Sequence, residues 1–460
     1  MKILVCIRQG LDGEINPFDA CAYEEALKIK GAEIILISMG PQSAKDFLLS
    51  LTRLGAKKAI LLSDKAFAGA DTLATAYTLS LAVKKINPDL IFCGRQTLVG
   101  DTAQTGPMLS ILAKTSLITN VMSIDEIGES VTCTTRDDGA QSVDFPALLT
   151  IERINNLRLP SILSKMGEVE IWNAEYLGAD LTKCGLEGSP TRVIKTFENE
   201  SGKRKCKFIS FNELQEVINI SLNKTTEKIA VDTTNGKKLD NVVIIGEGPR
   251  QFAEMVSEDI TLLPITTTTD LAEKITSLKP NAVLWGSDSL SKKLSAQVAA
   301  ILNLGLCADC TLLETDGEEL YMYRPALSGS VIAKIVSSTK PAMATVRTTQ
   351  NLSDVIVSVG FGAKKSIEKI KAFAHEIQAE VCTTRKMVDN DILPYNMQVG
   401  LTGKSVSPAV YIAVGVSGAV HHIAGIQKSG TIIAINPDKE APIFDYADYG
   451  ILGTAEDVFK

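Results

Sequence analysis

The sequence predicts an α/β protein in which two pseudo-symmetric parallel-sheet domains precede a doubly wound, Rossmann-like domain. Three observations predict this fold class. Buried strands alternate with amphipathic helices, a strand-and-turn pattern of the first half recurs in the second, and glycine-rich turns cluster toward the end of the chain. A chain of 460 residues also exceeds what one core normally holds, so two or three domains are expected.

The alternation of strands and helices begins at the first residues. An apolar strand, Ile3–Ile7, precedes a helix over Ala20–Lys30, and a second strand follows at Glu33–Ser38. The helix Asp71–Ile86 and the strand Leu90–Gly94 continue the pattern. Strands that are separated by helices in this way are joined by crossovers and lie parallel in one sheet.

Two segments of the first half recur in the second half. Asn87–Gly94 and Lys279–Gly286 share a proline, an acid or amide, and an apolar run that ends in glycine. Phe145–Thr150 and Lys340–Thr345 match at a similar offset. The alternative is that this pattern simply recurs in many α/β proteins, but the second match favours duplication.

Composition and pattern divide the chain into three domains. Residues 1–222 form the first, and its polar last part, about 173–222, is predicted to be an extended arm. Residues 223–239 are a linker, 240–347 form the second domain, and 348–460 form the third.

Bulk composition excludes several classes of protein. With 45% hydrophobic and 22% charged residues the chain is not disordered, and a net charge of −7 argues against binding to nucleic acid. Nine cysteines without framework spacing indicate reduced thiols. The apolar start is too short for a secretory signal, and no run reaches the roughly 18 apolar residues of a membrane span. We therefore expect a soluble, cytoplasmic protein.

The strongest local signal lies where the apolar strand Val410–Val414 runs into the turn Gly415–Gly418 and a helix follows. Backbone N–H groups at the start of a helix have no intrahelical partner and suit a diphosphate. Ser417 adds a hydroxyl, and Gly418 would let a ligand approach the main chain. The turn is not a GxGxxG fingerprint, and a tight turn that merely needs glycine is the alternative.

Two polar residues follow other predicted strands of the last domain. Asn436 ends the strand Thr431–Ile435, where an amide suits a ribose or an adenine edge, although a plain turn is equally typical of this position. Arg385 follows the strand Ala379–Cys382. A fixed positive charge there would favour a reduced, anionic cofactor ring, whereas a surface ion pair is the alternative.

In the first domain, Gly94–Pro107 follows a strand and opens a helix, and Asn16–Asp19 follows the first strand at the same edge of the sheet. Two such loops predict a second nucleotide site. No combination of residues predicts a catalytic triad, a P-loop or a zinc cluster. The adjacent His421 and His422 point in different directions on a helix, and Cys307–Cys310 lacks a second pair, so we expect neither catalytic residues nor a metal site.

With these loops, the chain resembles the electron transfer flavoproteins over nearly its whole length. Residues 1 to about 222 are similar to the beta subunit, and about 228–460 to an alpha subunit shortened at its start, as if the two were fused. The segment Val399–Ile451 carries the most specific matches. The resemblance implies an FAD bound by Thr384, Arg385, Val399, Gly400, Leu401, Thr402, Ser417, Gly418, Ala419, Val420, His421, His422 and Asn436.

The resemblance also implies a nucleotide site in the first domain. This site holds AMP in simple carriers and a second FAD in electron-bifurcating members of the family. The residues implied are Cys6, Asn16, Pro17, Phe18, Asp19, Met39, Gly94, Gly100, Asp101, Thr102, Ala103, Gln104 and Thr105.

Four positions depart from the family pattern. Phe361 stands where the family has a cofactor-contacting arginine, and Thr454 stands where it has an aspartate that Asp457 could replace. Leu401 and His421 both stand where glutamine is common. The departures at Phe361 and Thr454 predict that the FAD is held more loosely or differently at its adenosine end.

The resemblance implies an electron carrier that shuttles electrons between flavoprotein dehydrogenases, such as those like acyl-CoA dehydrogenases, and other acceptors. Leu159, in the segment Leu159–Leu163, is the implied apolar anchor for these partners. The first alternative is an electron-bifurcating protein that oxidises NADH and uses ferredoxin or flavodoxin. The second is a redox-inert protein that binds adenine nucleotides.

Overall fold

The computed structural model describes residues 1–10, 13–97, 100–198, 203–223, 237–326, 331–347, 353–400 and 403–459. These residues fall into two compact units. The first unit takes its described residues from 1–196, 232–327 and 333–346, and the second takes them from 197–231, 328–332 and 347–460.

The first half of the first unit is built on one large sheet. Its strands are β1 (Lys2–Cys6), β2 (Glu33–Met39), β3 (Lys58–Leu62), β4 (Leu90–Gly94), β5 (Ser116–Ile127), β6 (Ser130–Thr135), β7 (Gly139–Asp144), β8 (Ala147–Ile151) and β9 (Glu168–Trp172). Its helices are α1 (Pro17–Lys28), α2 (Lys45–Thr52), α3 (Thr72–Ile86), α4 (Thr105–Ala113) and α5 (Ala174–Leu177). The strand order is β7-β6-β5-β8-β4-β1-β2-β3-β9. In this order, every neighbouring pair between β5 and β9 is parallel.

The segment that was predicted to be an arm contains short elements: β10 (Thr191–Glu198), β11 (Lys207–Phe208) and α6 (Leu214–Asn223). Of these, β11 pairs in parallel with a strand of the second unit, Tyr449–Leu452. Most of the predicted linker, residues 224–236, lies outside the described residues.

The second half of the first unit repeats the same architecture. Its strands are β12 (Val242–Ile245), β13 (Ile260–Leu263), β14 (Ala282–Trp285), β15 (Leu306–Cys310), β16 (Leu312–Thr315), β17 (Leu320–Ala326), β18 (Val331–Ser337) and β19 (Ala342–Val346), and its helices are α7 (Arg250–Val256), α8 (Thr268–Leu278) and α9 (Ser289–Leu302). A five-stranded sheet has the order β13-β12-β14-β19-β15, and a four-stranded one has the order β10-β18-β17-β16. One hydrophobic cluster joins both halves, with Met108 and Leu109 of α4 and Val298 and Ala299 of α9 among its members.

The two halves share a detail that confirms their pseudo-symmetry. The order β5-β8-β4-β1-β2 of the first sheet corresponds to β15-β19-β14-β12-β13 of the second. Asn120 and Asp309 both have positive φ, 59° and 53°, where the outer strand shifts register. The amide of Asn120 donates to Thr150 Oγ1 at 3.0 Å, and that of Asp309 donates to Thr345 Oγ1 at 2.8 Å. The predicted match of Phe145–Thr150 with Lys340–Thr345 thus ends in the same buried hydrogen bond.

The second unit is a doubly wound domain with a six-stranded sheet. Its elements after β11 and α6 are the strands β20 (Val355–Val359), β21 (Glu380–Thr383), β22 (Val410–Val414), β23 (Thr431–Asn436) and β24 (Tyr449–Leu452), and the helices α10 (Ile367–Glu376), α11 (Arg385–Val388), α12 (Val420–Ile426) and α13 (Ala455–Val458). The order is β11-β24-β23-β22-β20-β21, and all pairs are parallel. The chain leaves β20 toward one edge and later returns to its other side at β22, which makes the gap between their ends the topological switch point.

The buried threonines provide a test of the duplicated hydrogen bond. In Thr150→Val or Thr345→Val, a buried amide loses its acceptor, and we expect the free energy of unfolding to fall by about 1–3 kcal/mol. Thr115→Val is the matched control, because the buried Thr115 hydroxyl has no partner among the described residues. Urea unfolding of the three variants measures the difference. Equal losses in all three would show that the hydrogen bonds contribute nothing specific.

Candidate functional site

A cavity of about 1050 Å³ opens in the first unit at the carboxyl ends of β1, β2 and β4. Parallel strands place their carboxyl ends on one edge, so the loops that follow these strands meet there. The residues predicted from the sequence that line it are Cys6, Asp19, Met39, Gly94, Gly100, Thr102, Ala103, Gln104 and Thr105.

The other four predicted residues of this site are not among the lining residues. Asn16 Nδ2 donates to the carbonyl oxygen of Gln96 at 3.0 Å, and Asp101 Oδ1 accepts from Gln96 Nε2 at 2.6 Å. The ring of Phe18 lies 5.2 Å from the Arg95 guanidinium carbon, and Pro17 begins α1. These contacts hold the loop after β4, so the residues support the cavity wall from behind.

Asp19 is a buried acid on the cavity wall. Its Oδ2 accepts from the backbone N–H of Arg8 at 2.8 Å, and its Oδ1 accepts from the N–H of Gly94 at 3.1 Å. Burial raises the pKa of Asp19 to about 7, although these two N–H groups oppose the shift. A Cβ on Gly94 would lie 2.3 Å from Asp19 Oδ1, so only glycine permits this contact.

Gln104 presents a free donor at the cavity. Its side chain is buried, and its Oε1 accepts from Thr72 Oγ1 at 3.0 Å. Its Nε2 is buried and has no partner among the residues that the structure describes. Because a buried donor without an acceptor is costly, the amide fits a ligand that offers an acceptor at this point.

Part of the wall comes from segments that the sequence analysis did not predict. Arg324 of β17 is buried, and its Nη2 donates to the carbonyl oxygen of Asp101 at 2.9 Å. Other lining residues come from the segment 63–75, which includes the first turn of α3, and from the strands of the second half. Those of the second half are Leu306, Cys307, Ala308, Ala326, Ala333 and Ile335. Apart from the Cys307–Cys310 spacing, they carry no motif, and only the packing of one half on the other brings them to the cavity.

In the second unit, the loops after β20 and β22 touch at the switch point. A Cβ on Gly360 would lie 2.2 Å from the carbonyl oxygen of Gly415, and the N–H of Gly362 donates to that same oxygen at 3.1 Å. The main chains therefore meet without a side chain between them. This contact fixes where the turn that follows Gly415 begins.

That turn exposes a run of backbone donors. Among the described residues, the N–H groups of 417–420 have no hydrogen-bond acceptor, and Ser417, Ala419 and Val420 are exposed. Gly418 has φ +89°, and a Cβ there would lie 2.2 Å from the nitrogen of Ile443. Gly418 is thus required by the neighbouring main chain, in agreement with the alternative that the turn needs glycine for its own structure. The free N–H groups of 417–420 are nevertheless suited to binding an anion.

His422 is buried just after this turn. Its Nδ1 lies 3.0 Å from the carbonyl oxygen of Val399 and must carry the proton, so its Nε2 accepts from the Tyr411 hydroxyl at 3.0 Å. Burial lowers the pKa of His422 to about 4, although the carbonyl of Val399 opposes the shift. The ring is neutral at pH 7 and ties Val399 to β22.

Other predicted residues lie on the same edge of this sheet. Thr384 is the N-cap of α11, and Arg385 Nε lies 3.3 Å from Asp389 Oδ2. Asn436 Nδ2 donates to the carbonyl oxygen of Val416 at 2.9 Å, and its Oδ1 accepts from the N–H of Asp438 at 3.0 Å. The alternative raised for each of these residues is therefore present in the structure. Arg385 forms an ion pair with Asp389, and Asn436 forms a turn with Asp438.

The remaining predicted positions complete the picture of this edge. Gly400 has φ +144°, and a Cβ there would lie 2.8 Å from the carbonyl oxygen of the partly buried His421. Leu401 and Thr402 lie outside the described residues. Asp457 Oδ2 accepts from both the N–H and the hydroxyl of Thr454, so its carboxylate caps α13.

Leu159 lies in a strongly apolar exposed segment of the first unit. Its side chain is 89% exposed, Ile162 is 95% exposed and Leu163 is 89% exposed. Contiguous exposed apolar side chains mark interaction surfaces. Among the described residues, no group of acids, histidines and cysteines could hold a metal ion, and no helix is long and apolar enough to cross a membrane.

Comparison with known families identifies both halves of the chain. The family described as Electron transfer flavoprotein domain matches residues 3–176 and 255–374. The family described as Electron transfer flavoprotein FAD-binding domain matches residues 351–427. Every residue predicted to bind FAD except Asn436 falls within this second match.

Curated relatives align with the N-terminal half. Protein FixA of Azorhizobium caulinodans is 38% identical over 227 residues, which are 45% of this chain and 81% of the relative. Electron transfer flavoprotein subunit beta of Clostridium acetobutylicum is 40% identical over 205 residues, 42% of this chain and 79% of the relative. Caffeyl-CoA reductase-Etf complex subunit CarD of Acetobacterium woodii is 37% identical over 235 residues, 48% and 89% respectively.

The neutral, buried His422 predicts a pH dependence of stability. An unfolded histidine takes up a proton near pH 6.5, whereas the folded one resists protonation down to about pH 4. Stability is therefore complete above pH 6.5 and falls as the pH drops, by about 2 kcal/mol between pH 7 and 5. Urea unfolding at both pH values should show this loss reduced in His422→Asn and unchanged in His375→Asn, which alters an exposed histidine. An undiminished loss in His422→Asn would contradict the assignment.

Proposed function

The chain belongs to the electron transfer flavoprotein family, and we propose that it shuttles electrons between flavoprotein dehydrogenases and other acceptors through an FAD bound in the domain 348–460. The observation that carries this proposal is the run of free N–H groups at 417–420, at the switch point of a sheet within the FAD-binding family match. When bound, the flavin would supply the ability to take up and release electrons.

Each residue of this edge then has a defined task. The N–H groups of 417–420 and the Ser417 hydroxyl hold the diphosphate, where the partial positive charge of unpaired amides is favourable. Asn436 and its turn lie at the end of the neighbouring strand and hold the adenosine. Arg385 would offer a fixed positive charge to the ring, and Thr384 is the N-cap of the helix that begins at Arg385.

His422 acts on the flavin site through its protein partners. A direct hydrogen bond from Nε2 to a ring carbonyl would require the other tautomer and the loss of the contacts to Tyr411 and Val399. With the hydrogen bonds as they stand, His422 is a positioning residue that holds Val399, the first residue of the predicted FAD-binding segment 399–402.

We propose that the cavity of the first unit binds an adenine nucleotide. Gln104 Nε2 offers a donor, Asp19 can change charge near neutral pH, and Arg324 adds a buried positive charge. The volume of about 1050 Å³ lies slightly above the range of about 300–1,000 Å³ for small-molecule sites, which favours a dinucleotide over AMP. Because of this observation, we retain the electron-bifurcating alternative. In that alternative, the cavity binds a second FAD, which accepts electrons from NADH.

The exposed segment Leu159–Leu163 is the proposed docking surface for the partner dehydrogenase. One relative, CarD, is named as a subunit of a caffeyl-CoA reductase complex, which supports a partner that acts on an acyl-CoA. Binding of a partner to such a segment is favourable in free energy, because each exposed apolar side chain is removed from water on contact. We retain the predicted domains 1–222, 240–347 and 348–460 as part of the proposal. In this proposal, the last domain carries the electrons. We propose that the protein acts in the cytoplasm.

An absorption spectrum with quantified nucleotides tests the function. A simple carrier should hold one FAD and one AMP per chain, and NADH should leave its flavin oxidised. The bifurcating alternative should hold two FAD, and NADH should bleach them. A colourless protein that still binds adenine nucleotides would overturn both and support a redox-inert role.

Docking through Leu159 is tested by Leu159→Asp. We expect the Michaelis constant for the partner dehydrogenase to rise about tenfold or more, because a charge replaces an apolar anchor at the centre of the contact. The flavin spectrum should be unchanged. Leu290→Asp, at an exposed leucine elsewhere in the first unit, is the control and should leave the Michaelis constant as it was. Equal effects of both variants would locate docking elsewhere.

A further inference from the structure

Two lysines in the second unit lie against one aromatic ring. Phe361 follows β20, in a 3-10 turn over Phe361–Ala363. Lys364 Nζ lies 4.1 Å from the centroid of the Phe361 ring, and Lys386 Nζ lies 4.3 Å from it. A cation is attracted to the face of an aromatic ring, so contact with Phe361 stabilises each of the two ammonium groups.

No carboxylate of the described residues neutralises this positive charge through a salt bridge. Among the described residues, neither Lys364 nor Lys386 forms a salt bridge, whereas the neighbouring Lys371 pairs with Glu368 at 3.0 Å. Two like charges held on one ring without a counter-ion are unfavourable in the free protein. An anion that paired with either ammonium group would reduce this cost.

The lysines share the edge of the sheet with the free N–H groups. The turn of Phe361 packs on Gly415 through the N–H of Gly362, and Gly415 leads directly into residues 417–420. Lys386 lies in α11, whose N-cap Thr384 donates its N–H to the carbonyl oxygen of Val359 at the end of β20. Both lysines are therefore anchored to the switch point.

We infer that Lys364 and Lys386, held on Phe361, form an anion subsite for the phosphates of the dinucleotide. This inference rests on the proposed FAD site and assigns it two further binding residues. The family arginine that Phe361 replaces would carry a single guanidinium there. In this chain, the ring instead organises two ammonium donors, which bind phosphate as point charges.

The test compares Lys364→Ala, Lys386→Ala and the double variant with Lys371→Ala, an exposed control lysine on α10. The dissociation constant of FAD from the full chain is measured by flavin fluorescence at two salt concentrations. Each single variant should bind FAD about tenfold more weakly, since a charge-assisted contact to phosphate is lost. The double variant should lose more, and its affinity should depend less on salt. The control should match the wild type.

Riboflavin separates a phosphate contact from a structural effect, because it has the ring but no phosphate. Its affinity should be the same in the wild type and the double variant, and adding Phe361→Arg to the double variant should restore part of the FAD affinity. Equal weakening for riboflavin and FAD, or an unchanged FAD affinity in the double variant, would overturn the subsite. A wild-type chain that takes up no FAD would instead overturn the proposed function.

Discussion

Close contacts between main chains at the carboxyl ends of parallel strands determine where both candidate sites lie. Gly360 meets Gly415, and Gly418 meets Ile443, at distances that leave no room for a Cβ. In the first unit, Gly94 meets Asp19 in the same way. These glycines do not themselves make space for a ligand. They let neighbouring loops touch, so that the donors of each loop, such as the N–H groups of 417–420, converge on one edge of the sheet.

The duplication explains why the two halves of the first unit now differ in use. Both retain the strand order and the buried hydrogen bond to Thr150 or Thr345. Only the first half has the polar loop 94–105 at its carboxyl edge, and this loop lines the cavity. The second half supplies Arg324 and an apolar wall to that cavity. One copy of the fold has thus kept the polar groups of the site, and the other completes its enclosure.

The sequence predicts much of the fold, because strand and helix periods are local. Leu90–Gly94, for example, is a strand with the predicted bounds, and Asp71 caps the helix that was predicted to begin there. What could not be predicted depends on contacts between distant segments. The sequence predicts Gln104 as a site residue from its place in the loop after β4. It does not reveal that Gln104 Nε2 has no partner among the described residues. The ring nitrogens of His422 are engaged by Val399 and Tyr411, which no spacing along the chain reveals.

A cavity built from both halves has a consequence for a chain that carries them together. If the halves were separate subunits, the nucleotide site would be complete only at concentrations that favour their association. Covalent linkage turns this association into an intramolecular step with a high effective concentration. The contact of Arg324 with the carbonyl oxygen of Asp101 then forms whenever the chain folds. Asp101 Oδ1 also accepts a hydrogen bond from Gln96 Nε2. Arg324 of the second half therefore helps to shape the nucleotide loop of the first half.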